Sequence, residues 1–145
     1  MSEDKPYLMH RNLFVDDRGY VYGAFDNMDR SGIKRTYVVE NHDSGFVRAW
    51  HGHKKAHTYM HVISGAAKLA AAPIEGDGGL VVVTASSRSP SIFSVPPGYY
   101  NGSMSLEPGT KILVYSTITL EECHSDDFRK PWFELHPGVW DIKWR

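Results

Sequence analysis

Short apolar runs alternate with turn residues along almost the whole chain, and few segments carry the spacing of a buried helix face. The β-rich runs are Tyr20 to Phe25, Lys34 to Glu40, Gly45 to His51, His57 to Ile63, Ala66 to Ala72, Leu80 to Thr84, Ser91 to Val95 and Lys111 to Thr117. Between them fall Asp-Asp-Arg-Gly, Asn-His-Asp-Ser-Gly, Ile-Ser-Gly, Glu-Gly-Asp-Gly-Gly, Pro-Pro-Gly and Glu-Pro-Gly, all favourable turn chemistry. Closely spaced short strands predict an all-β, antiparallel sandwich or barrel. Pro96-Pro97 cannot lie inside a central strand and mark the entry to a turn. One short helix is predicted near Thr119, an N-cap type with Glu122 three residues on. The aromatic-rich end, from Pro131 to Arg145, is expected to pack back on the body.

The chain has 145 residues, which suits a single domain over 1–145 with a real core. Lys+Arg of 16 against Asp+Glu of 17 gives a net charge of -1, with no overall bias toward nucleic acid or membrane. No run approaches the ~20 apolar residues of a membrane span, and the start lacks the apolar stretch of a signal peptide. The single cysteine, Cys123, lies in an acidic stretch that discourages thiolate formation. A soluble cytoplasmic protein is the expectation.

Chemistry concentrates between Gly45 and Gly65. His51, His53, His57 and His61 lie there, four of the chain's 8 histidines, with Arg48 just upstream. In an extended strand His51 and His53 project to one side, since side chains alternate with period two. Two imidazoles beside an arginine suit either metal ligation or proton transfer.

A second segment bears on that choice. Gly45, five residues, His51, one residue and His53 form the opening of the first cupin motif; Pro96, one residue, Gly98, two residues and Asn101 follow the second. In metal-binding cupins the first motif supplies two histidines and a glutamate, and the second a histidine. Here His57 stands at the glutamate position and Asn101 at the last histidine position. A metal-dependent cupin held by His51, His53 and His57 is one alternative; a non-catalytic sugar-binding cupin is another.

From about Asp16 to about Glu122 the chain resembles the RmlC-like cupins, namely the dTDP-4-dehydrorhamnose 3,5-epimerase family and the related nucleotide-sugar 3,4-ketoisomerases. The fragments that carry the likeness are Asp17-Arg18-Gly19, Val47-Arg48-Ala49-Trp50-His51, Val62 to Gly65, Val95 to Gly98 with Asn101-Gly102, and Leu113-Val114-Tyr115-Ser116. The resemblance implies a jelly roll, or double-stranded β-helix, with a short C-terminal helix or extension. It implies a cofactor-free epimerase acting at C3, C5 or both of a nucleotide-linked 4-keto-6-deoxy sugar, in deoxysugar or cell-surface polysaccharide biosynthesis. The alternative within the class is the 3,4-ketoisomerase.

By that resemblance His51 is the base, Tyr115 the opposite-face acid, and His53 and Tyr37 further proton carriers. Arg18 and Arg48 match diphosphate-binding arginines, a role suited to forked guanidinium donors, and Asn101 is a substrate-binding candidate. The implied partner is a nucleotide-diphosphate sugar, with no metal, no nucleic acid and no membrane, and the implied assembly is a homodimer. The epimerases' lysine falls at about Thr58, and Asp126, Asp127 and Asp141 remain open as the acidic residue that orients a catalytic histidine.

Overall fold

The computed structural model describes residues 4–145. The strands are β1 (Tyr7–His10), β2 (Phe14–Asp16), β3 (Gly19–Val21), β4 (Arg35–Glu40), β5 (Val47–His53) and β6 (Thr58–Ser64). They continue as β7 (Ala66–Pro73), β8 (Val81–Ser86), β9 (Ser91–Val95), β10 (Tyr99–Ser105), β11 (Lys111–Ser116) and β12 (Phe128–Arg129). The first sheet runs β1-β9-β6-β11-β4 and the second β12-β5-β10-β7-β8, while β2 and β3 form a separate hairpin. From β4 onward the chain passes repeatedly between the two antiparallel sheets, which is jelly-roll winding.

Inward-facing side chains of both sheets make the main core: Met60, Val62, Leu69, Ala71, Phe93, Val95, Ile112 and Val114. Each sheet also carries an outer layer. Outside the second, Trp50, Tyr100, Met104 and Trp140 pack together. Outside the first, Met9, Phe25 and Ile92 cluster, with Tyr59 and Tyr115 against them. Strands covered on both faces need no polar face, which is why β9 is buried at every position and β11 reads Ile-Leu-Val-Tyr through its middle.

Most predicted strands form, with edges moved by a few residues. The segment after Pro96-Pro97, expected as a turn, enters β10 at Tyr99. Gly98, at φ 94, makes the actual turn; its N–H donates to the His53 carbonyl at 2.7 Å. Helix α1 (Leu120–Cys123) begins at Thr119 with a full capping box to Glu122. In the C-terminal segment Trp140 is buried, whereas Trp132, Phe133 and Trp144 stay exposed, so only part of that end packs back. No helix of the described residues is long and apolar enough to cross a membrane.

Candidate active site

Strand register settles which side chains share a face. Tyr99 packs on the main core and lies opposite His53; Asn101 lies opposite His51. His51, His53, Tyr99 and Asn101 therefore face inward, while Trp50 and Gly52 between the histidines turn to the outer layer. Past Asn101 the pairing shifts through a bulge, and Arg48 comes opposite Ser103. Arg48 donates from Nε to Asn41 Oδ1. On the facing sheet, Tyr37 of β4 packs against the same core, with the Arg35 guanidinium 4.4 Å above its ring.

Strand β5 is held from outside by the segment that follows α1. Strand β12 pairs Phe128 with Gly52 and Arg129 with His51. Backbone bonds Trp50 N to Lys130 O (2.8 Å) and Lys130 N to Trp50 O (3.2 Å) extend the ladder, and the Trp50 indole donates to Leu135 O at 2.8 Å. The two histidines thus sit on a rigid, doubly flanked strand.

Burial pushes the His51 pKa down from 6.5, and Arg129, His53 and Arg48 add to this, partly opposed by Asp127. A neutral imidazole results, the form needed to accept a proton. Burial pushes the Tyr37 phenol up, so it holds its proton as an acid must. His53 Nδ1 lies 2.6 Å from the Asp126 carbonyl oxygen. A carbonyl only accepts, so Nδ1 carries the hydrogen, and in the neutral ring Nε2 keeps its lone pair.

Tyr115 is elsewhere. It stands on the outer face of the first sheet, its ring 4.8 Å from Phe25 and 6.5 Å from His61. Whole-sheet thickness separates it from the inward-facing histidines, which removes the geometric basis for the opposite-face role. His57 turns to that outer side too, with Nε2 2.7 Å from Ser94 Oγ and its ring stacked on Tyr59. His51, His53 and His57 therefore do not converge, and no group of three metal-ligating side chains occurs among the described residues. Arg18 sits on the exposed β2–β3 hairpin, paired with Asp16 at 2.6 Å. A cleft of about 950 Å³ opens on the outer face of the first sheet and takes in His57, but neither His51 nor His53. It lacks the paired inward imidazoles with flanking arginines, so the inner-face cluster is the better chemical site.

Sequence reasoning missed Arg129 as a site residue. Its strand is two residues long, and only pairing with β5 brings it beside His51. The charge cluster Asp126-Asp127-Phe128-Arg129 was the available signal.

No protein-family model and no curated relative matches the chain. Solved structures do. The dTDP-6-deoxy-D-glucose-3,5-epimerase RmlC of Legionella pneumophila Philadelphia 1, in complex with dTDP-4-keto-L-rhamnose, superposes with a TM-score of 0.76 at 19% identity, over 99% of this chain and 79% of that one. QdtA, a sugar 3,4-ketoisomerase of Thermoanaerobacterium thermosaccharolyticum in complex with TDP, gives 0.68 at 20% identity, over 92% and 93%. A 3,4-ketoisomerase from Helicobacter canadensis gives 0.70 at 17%, over 94% and 98%. The alternating two-sheet winding and these superpositions together give the chain a jelly-roll fold, the fold it shares with these RmlC and ketoisomerase structures.

Proposed function

We propose that the chain is an isomerase of a nucleotide-linked 4-keto-6-deoxy sugar, working by proton abstraction and return without a redox cofactor. The observation that carries this reading is the pair of inward imidazoles on β5, one kept neutral by burial and arginines, the other fixed in one tautomer. A ketone at C4 acidifies the hydrogen on C3. A neutral imidazole removes that proton, and the enolate is stabilised by nearby positive charge from Arg48 and Arg129. Those arginines also suit the diphosphate.

Within the class, 3,4-ketoisomerisation fits best. The C3 proton passes to C4 and the O3 hydroxyl proton to O4, so atoms and electrons balance. Two proton carriers on one face serve such a short-range shuttle, and His51 and His53 share a face. The solved ketoisomerases also match this chain over nearly their full length. Epimerisation at C3 or C5 is the second reading. Tyr37, on the sheet facing His51, then takes the acid role that Tyr115 cannot reach.

The test is incubation with a nucleotide-linked 4-keto-6-deoxyhexose in deuterated water, followed by NMR. A 3-keto product establishes ketoisomerisation; deuterium at an inverted C3 or C5 establishes epimerisation. No exchange with dTDP-, UDP-, GDP- or CDP-linked substrates refutes both.

A cytoplasmic homodimer in deoxysugar or polysaccharide biosynthesis completes the proposal. The β2–β3 hairpin exposes Phe14, Val15, Tyr20 and Val21, an apolar surface suited to a second copy. It would carry Arg18 away from its own His51 and toward a partner. A monomeric mass by light scattering at micromolar concentration contradicts this.

A further inference from the structure

We infer that Asp126 is the positioning residue of the histidine pair: its main chain fixes the His53 tautomer while its carboxylate clamps the turn that follows His53. This deepens the isomerase reading and rests on it for its kinetic part. Asp126 lies between α1 and β12, and its side chain is 2% exposed. Oδ1 accepts from Lys54 N at 2.6 Å; Oδ2 accepts from Lys55 N at 3.0 Å and Ala56 N at 3.1 Å. Three successive amides thus cradle one buried carboxylate, satisfying a group that would otherwise be costly to bury.

The same residue's carbonyl takes the His53 Nδ1 hydrogen at 2.6 Å, and its Oδ2 lies 3.9 Å from that nitrogen. Among the described residues no lysine or arginine forms an ion pair with it; His53 is the ring it faces. Clamp and tautomer lock are therefore one unit. Amides 54–56 fix where Asp126 sits, and that placement sets the carbonyl against His53. Nε2 is left as the ring's acceptor toward the inner face, and an imidazolium formed there faces a carboxylate. An asparagine would be a poor substitute, because its NH₂ would meet an amide N–H donor.

The experiment is long-range ¹H–¹⁵N correlation on histidine-labelled protein, with His53 assigned by loss of its signals in His53→Gln. The wild type should show a single Nδ1–H tautomer with a slowly exchanging Hδ1. Asp126→Asn should shift the Lys54, Lys55 and Ala56 amides, convert His53 to a mixture of tautomers and lower kcat on the order of 10²-fold, with KM within about threefold. An Nε2–H tautomer in the wild type, or an unchanged tautomer with full turnover in Asp126→Asn, overturns the inference. Should the variant fail to fold, the wild-type tautomer still decides. The tautomer is read without substrate, so absence of turnover in the wild type would sink the isomerase reading alone.

Discussion

Gly52 separates His51 and His53, and replacing it with alanine tests how the strand is held. A Cβ at this position would lie 2.8 Å from Tyr100 Cδ1, 2.9 Å from Ile74 Cδ1 and 3.0 Å from Tyr100 Cε1. Ile74 can give, since the contact is the end of a flexible chain. Tyr100 cannot give easily: it is buried and lies directly opposite Gly52 on β10, beside Trp50 in the outer layer. Its ring occupies the space a side chain would take. Overpacking of this kind costs about 1–3 kcal/mol, a fall in Tm of roughly 3–12 °C for a domain of this size. The opposite sign is physically available, because Gly→Ala at a permissive site stabilises by about 0.4–1 kcal/mol through the unfolded chain. Urea and thermal unfolding of Gly52→Ala decide between them. In a Tyr100→Leu background the ring is gone and the same substitution should become neutral or stabilising, so the cycle should show a favourable coupling of about 1 kcal/mol or more. A Gly52→Ala protein as stable as wild type, or equal penalties in both backgrounds, refutes the packing argument.

Where the NMR product is the C3 or C5 epimer, Tyr37→Phe should lower kcat by about 10²–10⁴-fold, the usual worth of a general acid, whereas Tyr115→Phe should leave turnover within a few-fold for either product; steady-state kinetics on the substrate identified by NMR compares them. Because burial lowers the His51 pKa, the acid limb of kcat/KM should fall below pH 6.5, as read from a pH profile between 5 and 8. Stability has its own pH dependence. His51 and His61 are both depressed by burial, so below pH 6.5 the unfolded chain binds protons that the native state refuses. Stability from these groups is then present above 6.5 and lost as pH falls toward the folded values, by at most about 2.7 kcal/mol per pH unit for two groups. Urea midpoints that stay flat or rise on acidification contradict this. On the proposed diphosphate role, Arg129→Gln should raise KM roughly 10-fold or more by removing a charge-assisted donor, and titration with nucleoside diphosphate checks it.

The sequence was legible where one physical rule acted alone. Period-two alternation put His51 and His53 on one face, and the Thr119–Glu122 spacing located the capped helix. It was not legible in β11, where Ile112 and Val114 face the core while Leu113 and Tyr115 face the outside. Both sides of that strand are covered, so apolar residues fill both, and no pattern says which side Tyr115 takes. Strand β10 escaped because Asn101 and Gly102 look like turn residues; cross-strand pairing with β5 and β7 overrides their weak propensity.

By itself the sequence determined the all-β class, the β5 histidine pair and its adjacent arginine, because alternation and turn chemistry are local. Tertiary structure alone decided that Tyr115 and His57 turn to the outer face, that Tyr37 packs on the inner face, and that Arg129 and Asp126 lie beside His51 and His53. Asp126 stands about seventy residues from the amides it holds. Contacts across that distance depend on how the sheets are wound, and no local pattern encodes which carboxylate the winding will bury beside His53.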